Sequence, residues 1–244
     1  MAKRSFQPVA DEDGPRTLTE EVCTRLREDI MDSRLAPGSR LRVEHLRQHY
    51  GVGAGTLREA LTRLTSDGLV LSEGQRGFRV APIALDELRQ LTQLRVHVEV
   101  DALRQAVRAG DADWRARVSA AYEALSALEQ PLLPQHARAW EAANARFHEA
   151  LVSSGPARWT LLVVRQLAQH SERYRRIAIR LMDQRRDVHA EHAAIYAAAM
   201  AGNELRAALA LEAHIGATAE LVAQALDQPA NVTGPAAPAP RPAS

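Results

Sequence analysis

Apolar residues in the first third of the chain follow a helical period and then a β-like one. Val22, Leu26 and Ile30 recur every four residues, and Thr19 is a candidate N-cap for the helix that they define. Two short β-like runs come later and flank a polar loop that contains Gly74. The predicted elements are helices from Thr19 to about residue 35, at 43–49 and at 55–66, and strands at 69–71 and 78–80. Three helices and a hairpin in this order predict a winged helix-turn-helix.

From Pro82 onwards the apolar pattern is helical throughout. Gly110, Pro131, Gly155 and Gly202 interrupt it, and such residues mark helix ends. The predicted helices are at 85–109, 113–129, 136–153, 157–181, 186–201 and 203–226. Helices of these lengths pack as an antiparallel bundle. The predicted fold is therefore mainly α, with an N-terminal winged helix-turn-helix and a C-terminal all-α bundle.

Composition separates two terminal segments from these two domains. The first residues are polar and contain Pro8, Gly14 and Pro15, whereas the last are rich in proline and alanine. The predicted organisation is a flexible arm at 1–16, the winged domain at 17–81, the helical domain at 85–226 and a disordered tail at 227–244.

Composition also excludes several classes of protein. No apolar run is long enough to cross a bilayer, and the N-terminus lacks the apolar core of a signal peptide. Cys23 is the only cysteine, so an intramolecular disulfide and a thiolate metal cluster are both excluded. We therefore expect a cytoplasmic protein with no membrane partner.

Charge is unevenly distributed although the net charge is only +1. Between Arg34 and Arg79 there are eight arginines and four acidic residues. Arg58 and Arg63 flank the exposed side of the third helix, and Arg76 with Gly77 forms the tip of the predicted wing. Guanidinium groups bind phosphates well, although an arginine-rich face is often only solvated. The glycine-rich run at 51–55 follows a helix rather than a strand, which argues against a dinucleotide site.

Polar residues at helical spacing define a second candidate site in the bundle. Asn144 and His148 lie four apart on one helix face, and His192 and His214 lie on two later helices. Imidazoles from several helices can bind Zn²⁺ or Ni²⁺, although single histidines are more often surface or core residues. Arg95 shares a face with apolar residues and needs an anionic partner. That partner is either Glu99, four residues on, or the carboxylate of an effector. The arginines at 173, 175 and 176 are typical of a solvated helix face.

The stretch LAPGSRLRVEHLRQHYGVGAGTLREALTRLTSDGLVLSEGQRGFRV resembles the DNA-binding domain of the GntR family of regulators. The resemblance covers residues 18–81, and LREALTRL followed by DGLV is its most specific part. It implies binding to double-stranded operator DNA, with these contact residues: Thr56, Arg58, Arg63, Arg76 and Gly77. Many members have Ser-Arg-Thr-Pro where this chain has Gly-Ala-Gly-Thr at 53–56, so the operator sequence does not follow from the resemblance.

The later motifs N..FH..L, EH..I and HI resemble the FCD ligand-binding domain found in the FadR branch of the family. This resemblance covers residues 85–226 and implies a homodimer, most often a repressor. It implies a divalent metal, Zn or Ni, and a small organic-acid effector near Arg95. The implied metal ligands are Asn144, His148, His192 and His214. Many members have Asp where this chain has Asn144, and a neutral amide is the weaker ligand. The chain also resembles one particular branch of the family, and this resemblance implies a small dicarboxylate or hydroxy acid as the effector.

Two other functions remain open from the sequence. A metal-dependent enzyme is the first, but the chain has neither an HExxH nor a GxSxG motif and no plausible cysteine nucleophile. The second is a metal-responsive regulator in which the ion itself is the signal. The favoured prediction is a non-enzymatic, nucleoid-associated regulator that responds to an organic acid.

Overall fold

A computed structural model describes residues 17–130, 132–154, 158–181 and 186–226. The chain divides into two compact units, with the boundary between Ile83 and Ala84. The predicted arm at 1–16 and tail at 227–244 lie outside the described residues. None of the described helices combines the length and the apolar character needed to span a membrane.

The N-terminal unit consists of three helices and a small sheet. Its elements are α1 (Leu18–Met31), β1 (Arg40–Leu41), α2 (Val43–Tyr50), α3 (Ala54–Ser66), β2 (Val70–Ser72) and β3 (Phe78–Val80). β3 lies between β1 and β2 and pairs antiparallel with both, with Val80 opposite Val70 and Phe78 opposite Leu41. The hairpin was predicted, whereas β1 was not, because two residues are too short to show a period.

Apolar side chains from all three helices and the sheet form one core in this unit. Leu26, Ile30, Leu57, Leu61 and Leu64 are completely buried. These positions follow the helical period within α1 and α3, so the apolar faces of the two helices meet. Burial of each such side chain contributes about 1.5–3 kcal/mol to folding, which fixes α3 against α1.

The N-cap of α1 differs from the predicted one. Thr17, not Thr19, occupies this position: its hydroxyl accepts a hydrogen bond from the Glu20 amide (3.3 Å), and the Glu20 carboxylate accepts one from the Thr17 amide (2.9 Å). This reciprocal pair is a capping box. Thr19 lies inside the first turn, and its hydroxyl donates to Glu59 of α3 at 3.3 Å.

Replacing Thr17 with Ala is expected to destabilise α1 by about 1 kcal/mol, because the Glu20 amide loses its partner. The measurement is hydrogen exchange of the α1 amides, which reports local stability within the intact chain. Thr19→Ala is the matched control, because it removes a threonine hydroxyl from the same turn that bonds the Glu59 side chain and caps no helix amide. Equal acceleration of exchange in the two variants would contradict the assignment of the cap.

The described residues of the C-terminal unit form helices and the segments that connect them. Its α-helices are α4 (Leu85–Ala109), α5 (Ala112–Ser126), α6 (Ala137–Val152), α7 (Arg158–Leu181), α8 (Val188–Met200) and α9 (Glu204–Leu226). The predicted all-α bundle is confirmed, and each helix ends within three residues of its predicted limit. The bundle core includes Trp114, Phe147, Leu151 and Ile195, all completely buried.

Three arginines of α7 are buried, which contradicts the prediction of a solvated face. Arg173, Arg175 and Arg176 are each about 5% exposed. Arg175 forms an ion pair with Glu141 of α6 at 2.8 Å, and Arg176 pairs with Glu172 at 2.8 Å. Sequence spacing did not reveal the first pair, because its acidic partner comes from another helix.

Candidate DNA-binding surface and metal site

The exposed face of α3 is the candidate DNA-reading surface. Gly55, Arg58, Thr62 and Ser66 are exposed along one side of the helix, opposite its buried leucines. Gly53 caps the helix without a side-chain hydrogen bond, so the first amides of α3 remain open to a phosphate. A Cβ added at Gly55 would contact nothing within 4 Å, so this end of the helix is open for close approach. Thr56 is half-buried in the same turn.

The two arginines predicted on α3 differ in their pairing. Arg63 forms an ion pair with Glu59 at 2.8 Å, one turn earlier on the same helix. Arg58 is exposed and forms no ion pair with any residue that the structure describes. An unpaired guanidinium is available to phosphate or to a guanine edge without first breaking an internal bond. Arg58 is therefore the better placed of the two to contact DNA.

The wing presents Arg76 at its tip. A short 3-10 turn at Gly74–Arg76 connects β2 to β3, and Arg76 is exposed. Gly77 has φ +89°, a conformation that side chains disfavour, so glycine at this position permits the sharp return into β3. At the base of the wing, Glu73 and Arg79 form an ion pair at 2.7 Å that ties the two ends of the loop together.

Three histidines from three helices converge in the core of the bundle. His148 of α6, His192 of α8 and His214 of α9 are all buried, and one nitrogen from each lies within 4.8 Å of the others. Asn144 precedes His148 by one turn of α6 and is 2% exposed, and its side-chain oxygen has no hydrogen-bond partner. The four residues predicted as metal ligands are thus buried in one region, with a polar oxygen left unsatisfied.

Each histidine faces a glutamate through Nδ1. Glu129 lies 2.7 Å from His192, Glu191 lies 2.7 Å from His214, and Glu99 lies 3.4 Å from His148. In His192 and His214 the hydrogen-bonded carboxylate holds the proton at Nδ1 and leaves Nε2 with its lone pair, the arrangement found around metal-bound histidines. Nε2 of His192 and both ring nitrogens of His148 are buried and have no hydrogen-bond partner. The imidazoles of His148 and His192 therefore each keep a buried Nε2 that is available to a metal ion.

Burial favours the neutral form of two of these imidazoles. It lowers the pKa of His148 to about 4, against the opposing effect of Glu99, and it lowers the pKa of His214 well below its ordinary value. Burial alone would raise the pKa of Glu99, but Arg95 and His148 outweigh it and lower that pKa to about 2. The pKa of Glu191 is also lowered to about 2, because Arg186 and His214 outweigh its burial. Neutral imidazole is the form that binds a metal.

The donor set fits a divalent transition metal. Three imidazole nitrogens and one amide oxygen suit Zn²⁺ or Ni²⁺ better than Ca²⁺ or Mg²⁺, which prefer oxygen ligands. Metal–nitrogen bonds of about 2.1 Å place ligand atoms no more than about 4.2 Å apart. The ligand atoms of the three histidines lie within 4.8 Å of one another, so they need to approach each other only slightly to bind one ion.

Arg95, predicted to bind an effector, is adjacent to this cluster. It is 6% exposed, and its Nε donates to Glu99 at 2.6 Å, while the second carboxylate oxygen of Glu99 faces His148. Of the two anionic partners considered for Arg95, the structure thus shows Glu99, four residues on in the same helix. Arg95 and His148 are linked through Glu99, so a ligand that contacted one would be close to the other.

Two residues of this region were not identified from the sequence. Glu129 follows α5, and one of its carboxylate oxygens accepts from both Trp140 (2.8 Å) and His192. Arg186 precedes α8 and binds Glu191 at 2.8 Å. Both lie in connections between helices, where periodicity gives no signal. The Glu191-His192 pair was visible in the sequence, but only the fold shows that Glu191 contacts His214 instead.

Comparison with known proteins identifies both domains. Residues 18–80 match the family described as bacterial regulatory proteins, gntR family, and residues 90–217 match the FCD domain. The chain is 42% identical over 227 residues to the HTH-type transcriptional regulator BphR of Paraburkholderia xenovorans LB400, covering 92% of this chain and 91% of that protein. It is 29% identical over 210 residues to the HTH-type transcriptional repressor GlaR of Escherichia coli K12, covering 82% and 94%.

Solved structures share the fold at lower identity. A GntR-type regulator from Rhodococcus sp. RHA1 superimposes with a TM-score of 0.65 at 23% identity, covering 85% of this chain and 98% of that one. E. coli McbR/YncC gives a TM-score of 0.63 at 19% identity, covering 87% and 100%. The chain therefore belongs to the GntR family, in the branch with an FCD domain, and is a DNA-binding transcription regulator.

Proposed function

We propose that this protein is a repressor whose affinity for operator DNA is set by a small organic acid bound at a divalent metal in the helical domain. The observation on which this rests is the buried group of His148, His192 and His214 with Asn144 beside it. We further propose that two copies associate, because a pseudo-palindromic operator requires two α3 helices. Such a protein acts at the nucleoid in the cytoplasm.

A carboxylate is the effector chemistry that this site favours. A bound divalent ion supplies a positive charge that attracts an anion, and the neutral side-chain ligands do not cancel that charge. Arg95 provides a guanidinium next to the site, already oriented by Glu99. The relative GlaR is named a repressor, which supports the proposed sign of regulation.

The effector can change DNA binding only if its affinity differs between the DNA-competent and the DNA-incompetent states. We propose that binding at the junction of α4, α6, α8 and α9 alters their packing and thereby the population of the competent state. A metal-responsive regulator, in which the ion alone is the signal, uses the same histidines and is distinguished by experiment.

We expect chelator-treated protein to melt at a higher temperature when Zn²⁺ or Ni²⁺ is added, and higher still with a suitable organic acid. A ligand at one hundred times its Kd stabilises the folded state by about 2.7 kcal/mol. The experiment is a thermal-shift screen of small carboxylic acids with and without metal, followed by operator binding under the same conditions. His192→Ala is expected to abolish the metal shift, whereas the exposed His97→Ala retains it.

The screen separates the candidate functions. An acid that shifts melting only with metal present, and that changes operator affinity, supports the proposal. A change in operator affinity with metal alone favours the metal-responsive regulator. Turnover of an acid in the screen would indicate an enzyme. The absence of any metal shift would overturn the proposed sensing site and leave only the DNA-binding function.

A further inference from the structure

The side chains that surround the candidate metal site carry less negative charge than the ion requires. A histidine binds a metal as neutral imidazole, and Asn144 contributes an amide oxygen without a charge. Where the ligand at the position of Asn144 is a carboxylate, one of the two positive charges is cancelled directly. This chain therefore leaves a divalent ion with its whole charge in a buried environment, which is costly unless another group compensates it.

Among the three glutamates that face the histidines, two are already compensated. Glu99 pairs with Arg95 at 2.6 Å, and Glu191 pairs with Arg186 at 2.8 Å. Glu129 instead accepts hydrogen bonds from Trp140 and His192, its other oxygen lies 3.5 Å from Nδ1 of His189, and it pairs with no arginine or lysine that the structure describes. Counted over carboxylates and guanidiniums, the contacting groups thus contribute a single net negative charge, from Glu129. A bound divalent ion would leave the site with a net charge of about +1.

We propose that Asn144 makes the metal and the effector carboxylate bind as an interdependent pair. This inference rests on the proposed function. One carboxylate neutralises the remaining charge, so the anion strengthens retention of the ion and the ion strengthens binding of the anion by the same factor. Asn144 is thus the residue that determines whether the ion is a permanent part of the fold or arrives together with the effector. An aspartate at this position would bring the charge to zero before any effector binds.

The test is the Zn²⁺ affinity of the full chain, measured by competition with a chromophoric chelator in chloride and in acetate buffers of equal ionic strength. Acetate serves as the probe carboxylate. For the unaltered protein we expect acetate to tighten Zn²⁺ binding roughly tenfold, within the usual range of coupling between two sites. Asn144→Asp is expected to bind Zn²⁺ more tightly in chloride and to lose most of the acetate effect.

Asn203→Asp is the matched control, because it adds the same charge in the same domain. Asn203 is exposed and accepts from the Arg206 amide at the start of α9, a role that aspartate performs equally well. Its acetate effect is expected to equal that of the unaltered protein. An equally large effect in Asn144→Asp would overturn the proposal.

Glu129→Gln removes a negative charge from the surroundings of the site, whereas Asn144→Asp adds one. Glutamine retains an acceptor for Trp140 and His192 but removes the uncompensated charge. We expect Zn²⁺ binding in chloride to weaken about 10- to 100-fold, the range for second-layer partners of metal ligands, and the acetate effect to grow. Zn²⁺ binding that is equally tight in both buffers refutes the interdependence while leaving the metal site intact. No Zn²⁺ binding in either buffer refutes the proposed function itself.

Discussion

Lowering the pH of the metal-free protein from 7 to 4.5 is expected to destabilise the helical domain by several kcal/mol. Burial lowers the pKa of His148 to about 4, whereas in the unfolded chain it returns to about 6.5. The unfolded state therefore takes up a proton that the folded state resists. The stability associated with neutral His148 is fully present above pH 6.5 and is lost as the pH falls towards 4. It amounts to about 3 kcal/mol for this residue alone.

Other buried groups modify this dependence in known directions. His214 acts in the same sense, because burial also lowers its pKa. Glu99 and Glu191 lose their contributions only below their ordinary pKa of about 4.5, since their folded pKa values are about 2. Burial raises the pKa of Glu141, so its protonation partly offsets the loss at the acid end. Between pH 6.5 and 5 the two histidines dominate.

The measurement is chemical unfolding of chelator-treated protein at pH 7, 6 and 5. His214→Gln removes one titrating group, so its stability is expected to change less steeply with pH than that of the unaltered protein. The exposed His97→Gln is the matched control and retains the full dependence. Saturating Zn²⁺ should shift the loss of folding stability to lower pH, because protons and metal compete for the same histidine nitrogens. A stability independent of pH from 7 to 5 would contradict the burial of neutral imidazoles.

The helices could be predicted because the pattern that defines them is local. Val22, Leu26 and Ile30 specify the buried face of α1 by spacing alone, and all three are buried. The start of that helix was misplaced by two residues, because Thr17 and Thr19 are both acceptable caps. Only Glu20, three residues after Thr17, completes the reciprocal hydrogen bonds. β1 could not be predicted, since its two residues become a strand only by pairing with β3.

The metal-site residues could be proposed from the sequence only through family motifs. Spacing places Asn144 and His148 on one face of α6, but it does not bring α8 and α9 to them. Convergence of the histidines is a property of bundle packing, and so is the assignment of one glutamate to each. Glu129 illustrates the limit: it lies between helices, and its role depends on Trp140 and His192 at distant positions.

The sequence also does not show which charged residues of the DNA-binding domain are free to contact DNA. An arginine count from Arg34 to Arg79 indicates a basic DNA-binding domain but does not show which arginines are available. The structure divides them by pairing: Arg63 is neutralised by Glu59, whereas Arg58 is not paired within the described residues. This difference between two arginines of one helix becomes measurable in DNA binding.

Replacing Arg58 with Ala is expected to weaken operator binding far more than replacing Arg63. A guanidinium that forms a bidentate contact to a guanine edge contributes about 1–3 kcal/mol, equivalent to roughly 5- to 150-fold in affinity. Removing Arg63 also releases Glu59 from its ion pair, and this exposed pair contributes less than about 1 kcal/mol. The two variants lose the same charge from exposed positions of the same helix, so a difference between them reflects contact with DNA rather than overall charge.

The measurement uses a duplex selected from random sequences and a scrambled duplex of equal length, with affinities compared at several salt concentrations. If Arg58 reads a base, Arg58→Ala lowers the ratio of specific to nonspecific affinity. If Arg58 contacts only phosphate, both affinities fall together and the salt dependence decreases by about one counterion. Equal losses in Arg58→Ala and Arg63→Ala would show that the pairing in α3 does not determine which arginine meets the operator.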